Sequence, residues 1–332
     1  MHQSKVPLSN FSAMAPVADA LEAMGISASD IFEEFLLPLD SPEGSQIPAH
    51  AIYTMMETIA TRLDHSTIGS DLAINMIDDT YHFYGLDPGD QSSLAEMLTS
   101  FILSQREQYT SAPYRLAIGE ELAILSKQRT NEVPSSTRQV DCWELTTLIE
   151  GIKRKVGKLW DSAQVHAAIS CPLCLCQNVL PEQSLCSWDK SGVQVTLPSK
   201  WLIQPSNQAE TRPPICGSPP PPNDFVKSVK AALRPRIAHG KLCLEDVADY
   251  CGVGVRRFQS MLSNHGLSFA SIQDELRQEH ALTEVEKTSR PIAEIGNELG
   301  YSDSSAFSRA FKRWTGRSPE YHRDLLGSDP SQ

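Results

Sequence analysis

The sequence lacks the features that mark membrane proteins and the common enzyme classes. It has no run of about 18 consecutive apolar residues, and its first residues do not combine a basic segment with an apolar core. The motifs Gly-x-Ser-x-Gly, Gly-x-x-x-x-Gly-Lys and His-Glu-x-x-His and the Rossmann glycine pattern are also missing. We therefore expect a soluble, cytoplasmic protein that is not an enzyme, uses no cofactor and does not enter a membrane.

Basic residues are outnumbered in only one part of the chain. The formal net charge is −12, and the whole excess lies in residues 1–221, because residues 222–332 contain 15 basic and 15 acidic residues. An acidic chain argues against a protein that coats nucleic acid indiscriminately, since such binding depends on neutralising phosphates. Residues 304–323 nevertheless contain five cations and one acid. This local excess indicates an anion-binding surface, although the solvated face of an ordinary helix would also explain it.

A proline-rich segment divides the chain. The length of 332 residues and the hydrophobic content of 40% predict two or three domains. Residues 204–223 include four consecutive prolines and show no apolar periodicity. This composition predicts an extended, semi-rigid linker, with a surface loop as the alternative. We therefore divide the chain into an amino-terminal domain (1–203), a linker (204–223), a carboxy-terminal domain (224–325) and a tail (326–332).

The clearest motif is a pair of helices near the carboxy terminus. One helix begins after Pro291, has apolar side chains at helical spacing and ends at Gly300. Residues 301–303 form a short turn with polar side chains that can cap the next helix, 304–314. Two helices joined by a short turn with glycine are typical of a helix-turn-helix unit.

The second helix of this pair has one apolar and one polar face. Phe307, Phe311 and Trp314 recur at positions i, i+4 and i+7 and are expected to be buried. The side chains predicted to point outward are small and polar or cationic: Ser304, Ser305, Ser308, Arg309, Lys312 and Arg313. Such a face is suited to contacts with DNA bases and phosphates.

An earlier segment repeats this pattern. A helix from residue 244 leads into a turn at 251–254 and a second helix at 255–262. Four side chains of that helix are predicted to point outward: Arg256, Arg257, Gln259 and Ser260. Between the two units, residues 269–287 contain neither glycine nor proline and predict a helix of about 27 Å. Such a spacer can hold two reading helices near the separation of about 34 Å between successive major grooves.

The motif Gly300-Tyr301-Ser302, the run 306–319 and the closing Pro319-Glu320-Tyr321-His322-Arg323 carry a family resemblance. With them, residues from about Phe225 to Arg323 resemble the DNA-binding domain of the AraC/XylS family of bacterial transcription regulators. Arg277 and Ala281 match positions in the family's linker helix. The sequence departs from the family pattern at Gly254, Ser260 and Gly296, where a serine cap, an arginine and an alanine are usual.

The resemblance implies an all-α domain of two helix-turn-helix units that bind successive major grooves of promoter DNA. The residues best placed for base edges are Arg256, Gln259, Ser305 and Ser308. Those expected to contact mostly phosphates are Arg257, Arg309, Lys312 and Arg313. The resemblance also implies transcriptional activation, RNA polymerase as a partner and a homodimer. Serine in place of arginine at 260 predicts weaker DNA binding by the first unit.

The amino-terminal part predicts a mixed α/β domain, so the fold class of the chain is α+β. Amphipathic helices are predicted at 17–24, 28–37, 48–63, 92–108 and 140–156. A hairpin is predicted at 114–126, and alternating apolar residues predict strands at 165–169 and 193–197. The Ile47-Pro48 pair, the hairpin and the segment 193–201 resemble the effector-binding domain of one AraC-type subfamily. This implies sensing of a small molecule and dimerisation, but it identifies no pocket residue.

Four cysteines in a stretch of 16 residues support a different hypothesis for the regulator. Cys171, Cys174, Cys176 and Cys186 could hold a soft metal ion or form a redox switch. Structural zinc sites usually have two separated pairs of ligands, whereas Cys174 and Cys176 are only one residue apart. Buried free cysteines are common in cytosolic proteins, so an inert cluster is the alternative, and we assign no metal ligand.

Two other classes of protein remain as alternatives. An enzyme fused to a DNA-binding tail would need a site built from isolated residues such as His65, His82 and His166. A structural nucleoid protein conflicts with the acidic amino-terminal half and would bind DNA regardless of sequence. Dependence of binding on sequence at moderate salt separates a nucleoid protein from a regulator.

Overall fold

The computed structural model describes residues 6–37, 39, 41, 44–78, 81, 86, 92–108, 112–129, 136–203, 222, 224–239 and 242–327. Nearly all of the segment predicted as a proline-rich linker lies outside these residues, so its conformation stays a prediction. Within the described ranges, no helix has the length and apolar character required to cross a bilayer. The α+β fold class is confirmed, with a mixed amino-terminal region followed by a helical carboxy-terminal region.

The chain begins with a small sheet and a group of helices. These elements are β1 (Leu8–Asn10), α1 (Ala15–Ala23), α2 (Ala28–Glu34), β2 (Gln46–Pro48), α3 (Ala49–Arg62) and α4 (Ile68–Asn75). Strands β1 and β2 pair antiparallel. Gly25 follows α1 with a φ of +76°, and the Ser27 side chain caps α2 by accepting a hydrogen bond from the Asp30 amide at 3.2 Å. Helix α2 ends at Glu34, three residues before the predicted end, while β1, β2 and α4 were not predicted.

A five-stranded sheet and two helices complete the amino-terminal region. They are α5 (Leu94–Gln108), β3 (Tyr114–Ile118), β4 (Leu122–Gln128), α6 (Arg138–Val156), β5 (His166–Ile169), β6 (Leu185–Ser187) and β7 (Gly192–Pro198). The strand order is β3-β4-β7-β5-β6, and every pair is antiparallel except β5 with β6. The hairpin, α6 and the strands at 165–169 and 193–197 were predicted; β6 was not. Apolar side chains of α6 and α5 pack with those of the sheet in one core.

Four charged side chains are buried together between α6 and the sheet. Lys127 Nζ lies 2.7 Å from Glu144 Oε1, and Arg129 pairs with both Asp141 and Glu144. The Arg129 Nε–H also donates to the Tyr53 hydroxyl on α3 at 3.2 Å. Burial alone would raise the pKa of Glu144, but Arg129 and Lys127 hold it below its usual value. The cluster is electrically balanced, which makes burial of its charges tolerable.

The carboxy-terminal region is helical throughout its described part. Its helices are α7 (Phe225–Leu233), α8 (Leu244–Tyr250), α9 (Val255–Asn264), α10 (Phe269–Lys287), α11 (Ile292–Glu298), α12 (Ser304–Thr315) and α13 (Pro319–Gly327). Helix α7 begins with Asp224 as its cap, whose carboxylate accepts from the Lys227 amide at 2.9 Å. The long helix α10 has the predicted bounds. Its buried residues are Ile272, Leu276, Ala281 and Val285.

The hydrophobic core of the amino-terminal helices continues into the carboxy-terminal region. Leu8 and Ile47 of the small sheet belong to the same buried cluster as Phe225 and Val229 of α7. The Val6 amide donates to the Ser228 hydroxyl at 3.3 Å, and this bond is buried. The two regions are thus in direct contact within the described residues, whatever the conformation of the segment that connects them.

Candidate nucleic-acid interface

The first helix-turn-helix unit consists of α8 and α9. Val247 and Ala248 of α8 are buried with Phe258 and Leu262 of α9. Gly252, with a φ of +65°, closes α8, and its amide donates to the Asp249 carbonyl at 2.7 Å. Gly254 occupies the cap position of α9 and supplies no side-chain cap, as the sequence predicted. Met261 was expected to be buried but is only partly buried.

The second unit, α11 and α12, has the same turn geometry. Gly300 follows α11 with a φ of +79°, and the Tyr301 amide donates to the Gly296 carbonyl at 3.0 Å. Asp303 then caps α12 by accepting from the Ala306 amide at 2.7 Å, which holds the pKa of Asp303 below its usual range. The predicted turn and cap are therefore both present.

Gly296 has a packing role that the sequence did not indicate. A Cβ atom built at this position would lie 2.9 Å from Cβ of Phe307, so alanine would force α11 and α12 apart. Phe307 is completely buried and tied to its own helix, which leaves little room for adjustment. The expected cost of glycine inside a helix is thus offset by a close approach of two helices that only glycine permits.

The polar side chains predicted for DNA contact lie at the surface of α9 and α12. Exposed positions are Arg256, Arg257, Gln259 and Ser260 on α9, and Ser304, Ser305, Arg309, Lys312 and Arg313 on α12. Ser308 is half-buried. On the opposite side of α12, Phe307 and Phe311 are buried as predicted, whereas Trp314 is only partly buried. Each helix therefore presents a polar face to the solvent and an apolar face to the core.

One of these cations is already held by a carboxylate. An amino group of Arg313 lies 2.7 and 3.0 Å from the two carboxylate oxygens of Asp274 on α10. Trp314 Nε1–H donates to the same carboxylate at 3.1 Å. Asp274 was missed because the sequence predicts both helices without indicating how they cross. It links the spacer to the reading face of the second unit.

The spacer α10 is anchored at both ends. Ser268 and Ser271 form a reciprocal capping box at its start. Near its end, Arg323 of α13 donates from Nε to the Val285 carbonyl at 3.2 Å, and His322 Nε2 lies 2.9 Å from Glu286 Oε1. Its 19 residues correspond to about 28 Å at 1.5 Å per residue. This length can set a fixed spacing between the two units.

A residue of the amino-terminal region contacts the turn of the first unit. A Cβ atom built on Gly252 would lie 2.7 Å from Cγ of His50 on α3, so the imidazole ring and the glycine backbone are in close contact. Burial lowers the pKa of His50, and the nearby carboxylate of Asp249 on α8 opposes this shift. No sequence pattern identified His50, because residues of two separate regions meet only in the folded chain.

The four clustered cysteines do not form a metal site. Among the described residues, no three His, Cys, Asp or Glu side chains lie where they could hold one ion. Cys171 and Cys174 are adjacent, but the Cys176 thiol donates to Asp71 at 2.7 Å and the exposed Cys186 thiol lies 3.4 Å from the Ala167 carbonyl. The hypothesis that these thiols share a metal is therefore wrong.

The residues around Asp71 are not arranged for nucleophilic catalysis. His65 Nε2 lies 2.8 Å from one oxygen of Asp71, and the Cys176 thiol donates to the other. The carboxylate thus stands between the imidazole and the thiol, whereas an activated cysteine needs the imidazole at its own sulfur. Burial and the Asp71 carboxylate raise the pKa of Cys176, which disfavours the reactive thiolate.

The carboxy-terminal region is similar to known regulators. The family described as a helix-turn-helix domain matches residues 247–324. The ornithine utilization regulator of Pseudomonas aeruginosa is 36% identical over 81 residues, which are 24% of this chain and 24% of that protein. The arabinose operon regulatory protein of Escherichia coli is 28% identical over 105 residues, 31% of this chain and 36% of that protein. The chain therefore spans only about a quarter to a third of the length of these relatives.

Among solved structures, the transcriptional regulator CdpR from Pseudomonas aeruginosa is similar over most of its length. The similarity covers 95% of this chain and 98% of that one, with 16% sequence identity and a TM-score of 0.37. At that identity and score, the similarity assigns neither a ligand nor a function to this chain.

Proposed function

The carboxy-terminal region of this chain is an AraC-type helix-turn-helix domain, and on that premise we propose that the protein is a sequence-specific transcription regulator. Helices α9 and α12 enter successive major grooves of promoter DNA. The observation that carries this proposal is the pair of exposed polar faces on two helices that share one spacer, α10. Two such helices reading one side of B-DNA must lie about one helical turn apart.

Each reading face combines two kinds of contact. Arg256, Gln259, Ser305 and Ser308 contact base edges, because they lie in the first half of their helices. Arg257, Arg309, Lys312 and Arg313 bind phosphates and fix the register of the domain on the duplex. Since Ser260 supplies no cation, the first unit contributes less than the second to the salt-dependent part of the affinity.

The amino-terminal region controls DNA binding in this proposal, with a small-molecule effector and a second copy of the chain as partners. The contact of His50 with the turn at Gly252 and the buried bond from Val6 to Ser228 support such coupling. An effector acts only if it binds the DNA-competent and incompetent arrangements unequally. A shared core makes the two arrangements discrete, because close-packed interfaces do not deform continuously.

A homodimer is supported by the free edge of the five-stranded sheet. Strand β3 is an edge strand, and its neighbour β4 exposes Leu122 and Ile124. Exposed apolar side chains beside an edge strand are typical of surfaces that pair with another chain. We further propose activation through RNA polymerase as the outcome of promoter binding, by analogy with the family.

The proposal is tested by selecting binding sequences from a random duplex library at about 150 mM salt, where surface electrostatics are screened as in cells. The full chain is used, because its carboxy-terminal helices share a core with the amino-terminal ones. Wild type should enrich two half-sites about 10 base pairs apart. Arg256→Ala with Gln259→Ala should lose one half-site, and Ser305→Ala with Arg309→Ala should lose the other. Lack of enrichment by wild type, with and without candidate effectors, contradicts the proposal.

A further inference from the structure

The segment Cys171-Pro172-Leu173-Cys174 forms a single tight turn directly after β5. Residues Pro172–Cys174 are one turn of 3-10 helix, and the Cys174 amide donates to the Cys171 carbonyl at 3.1 Å. This geometry brings the two sulfur atoms within 2.7 Å of each other, while both cysteines are free thiols. A disulfide bond of about 2.05 Å therefore requires only a small further approach of the sulfurs.

The two thiols differ in their access to solvent. Cys171 is half-buried, whereas Cys174 is buried. Leu173 between them is 84% exposed, so the turn itself projects into solvent and a small reagent can reach it. Because Pro172 has a fixed φ, the turn is preorganised and loses little freedom when its ends are joined.

The charges around the pair distinguish the roles of the two thiols. Burial raises the pKa of Cys174 to about 12, and the adjacent Cys171 thiol adds to this shift. Arg138, at the start of α6, favours the thiolate of Cys174, while Glu57 opposes it. Cys174 thus remains protonated at neutral pH until a reaction partner is beside it, and Cys171 is the thiol that an incoming molecule meets first.

The other described cysteines of the chain are directed elsewhere. The Cys142 thiol is buried on α6 and faces the Cys171 carbonyl at 4.0 Å, not its sulfur. Cys176 donates to Asp71, and the Cys243 sulfur accepts from the Asp246 amide at 3.3 Å as the cap of α8. Cys171 and Cys174 are therefore an isolated reactive pair within the described residues.

We propose that Cys171 and Cys174 form a reversible disulfide in exchange with low-molecular-weight disulfides such as oxidised glutathione. The Cys171 thiolate attacks one sulfur of the small disulfide, whose S–S bond breaks and releases one thiolate. Cys174 then gives its proton to solvent and attacks the Cys171 sulfur, which expels the second thiolate. Two protein thiols are oxidised, and one small disulfide is reduced to two thiols, which take up the two protons.

The test uses the full-length protein with Cys186, Cys216 and Cys243 replaced by serine, which removes the exposed background thiols and the one outside the described residues. After treatment with oxidised glutathione, the intact mass should fall by two hydrogens without a glutathione adduct. Peptide mapping should locate one disulfide between Cys171 and Cys174, and dithiothreitol should reverse it. Cys174→Ala should instead retain one glutathione on Cys171, because no thiol is left to expel it.

Two further variants make the test decisive. Cys171→Ala should lose both the disulfide and the adduct, since the remaining thiol of the pair is buried. Cys176→Ser is the matched control and should form the same disulfide as the starting protein. A stable adduct on Cys171 when Cys174 is present, or a disulfide that maps to Cys142 or Cys176, would overturn the proposal. Mapping in the unsubstituted protein gives the same answer even if a variant fails to fold.

Discussion

Gly252, in the turn of the first helix-turn-helix unit, lies against the imidazole ring of His50 on α3. The corresponding residue of the second unit, Gly300, has the same left-handed backbone, but a Cβ built there meets nothing within 4 Å. The two units thus share a turn, and only the first is covered by the amino-terminal region. This difference provides a matched pair of positions for testing the contact between the two regions.

Alanine at these two glycines should have unequal effects. Gly300→Ala should lower the free energy of unfolding by about 1–2 kcal/mol, because its φ is positive. Gly252→Ala should cost more than that, because its methyl group also meets the His50 ring. Urea unfolding followed by circular dichroism measures both. In a His50→Ala background the two costs should become similar, and an unchanged difference would contradict the contact.

The same histidine should make stability depend on pH. Its folded pKa lies below the unfolded value of about 6.5, since burial disfavours the charged ring and Asp249 only partly compensates. The unfolded chain therefore binds more protons, and His50 reduces stability as the pH falls through about 6.5. The drop in melting temperature from pH 8 to pH 5.5 should be smaller in His50→Gln than in wild type. His166→Gln, at an exposed position on β5, should behave as wild type.

Two substitutions on the reading helices should affect DNA binding differently. Arg309→Ala should weaken binding to all sequences and reduce the slope of log affinity against log salt by about 1. Gln259→Ala should relax discrimination at one base position by about 1–3 kcal/mol and leave the slope unchanged. Fluorescence anisotropy with matched and mismatched duplexes at several salt concentrations measures both effects. If both variants lose affinity and discrimination equally, the assigned roles are wrong.

The pair of Asp274 and Arg313 should limit the affinity for DNA. Asp274 holds the Arg313 guanidinium, so a phosphate has to compete with a carboxylate. Asp274→Asn should increase the affinity by about two- to fivefold, the range of a partly exposed ion pair, and the amide oxygen can still accept from Trp314. The increase should vanish in an Arg313→Ala background, as measured by a double-mutant cycle. An increase that persists there would point to a different phosphate contact.

The buried charges around Arg129 should matter far more for stability than surface pairs. Arg129→Met leaves Asp141 and Glu144 buried with one cation fewer, which should cost about 3–5 kcal/mol of unfolding free energy. Arg62→Met breaks the exposed pair with Glu34 and should change stability little. Equal effects in urea unfolding would show that the buried cluster is not essential to the fold.

The helices of the two units could be predicted because local sequence specifies them. Apolar residues at helical spacing, glycines after α8 and α11 and the cap at Asp303 act within a few residues, so their outcome does not depend on the rest of the chain. For the same reason the spacer α10, the hairpin and α6 were predicted close to their bounds. The short strands β1 and β2 have three residues each, too few to show a periodicity.

The sequence by itself determined the kind of domain at the carboxy terminus and which side chains of α9 and α12 face solvent, since helical periodicity places them. Only the tertiary structure decided which distant residues meet. It brings His50 to Gly252, Asp274 to Arg313 and Phe307 to Gly296, and it collects the charges around Arg129 from three elements. These contacts depend on how elements far apart in the chain pack against one another, and packing is set by the shape of the whole core and not by any local pattern.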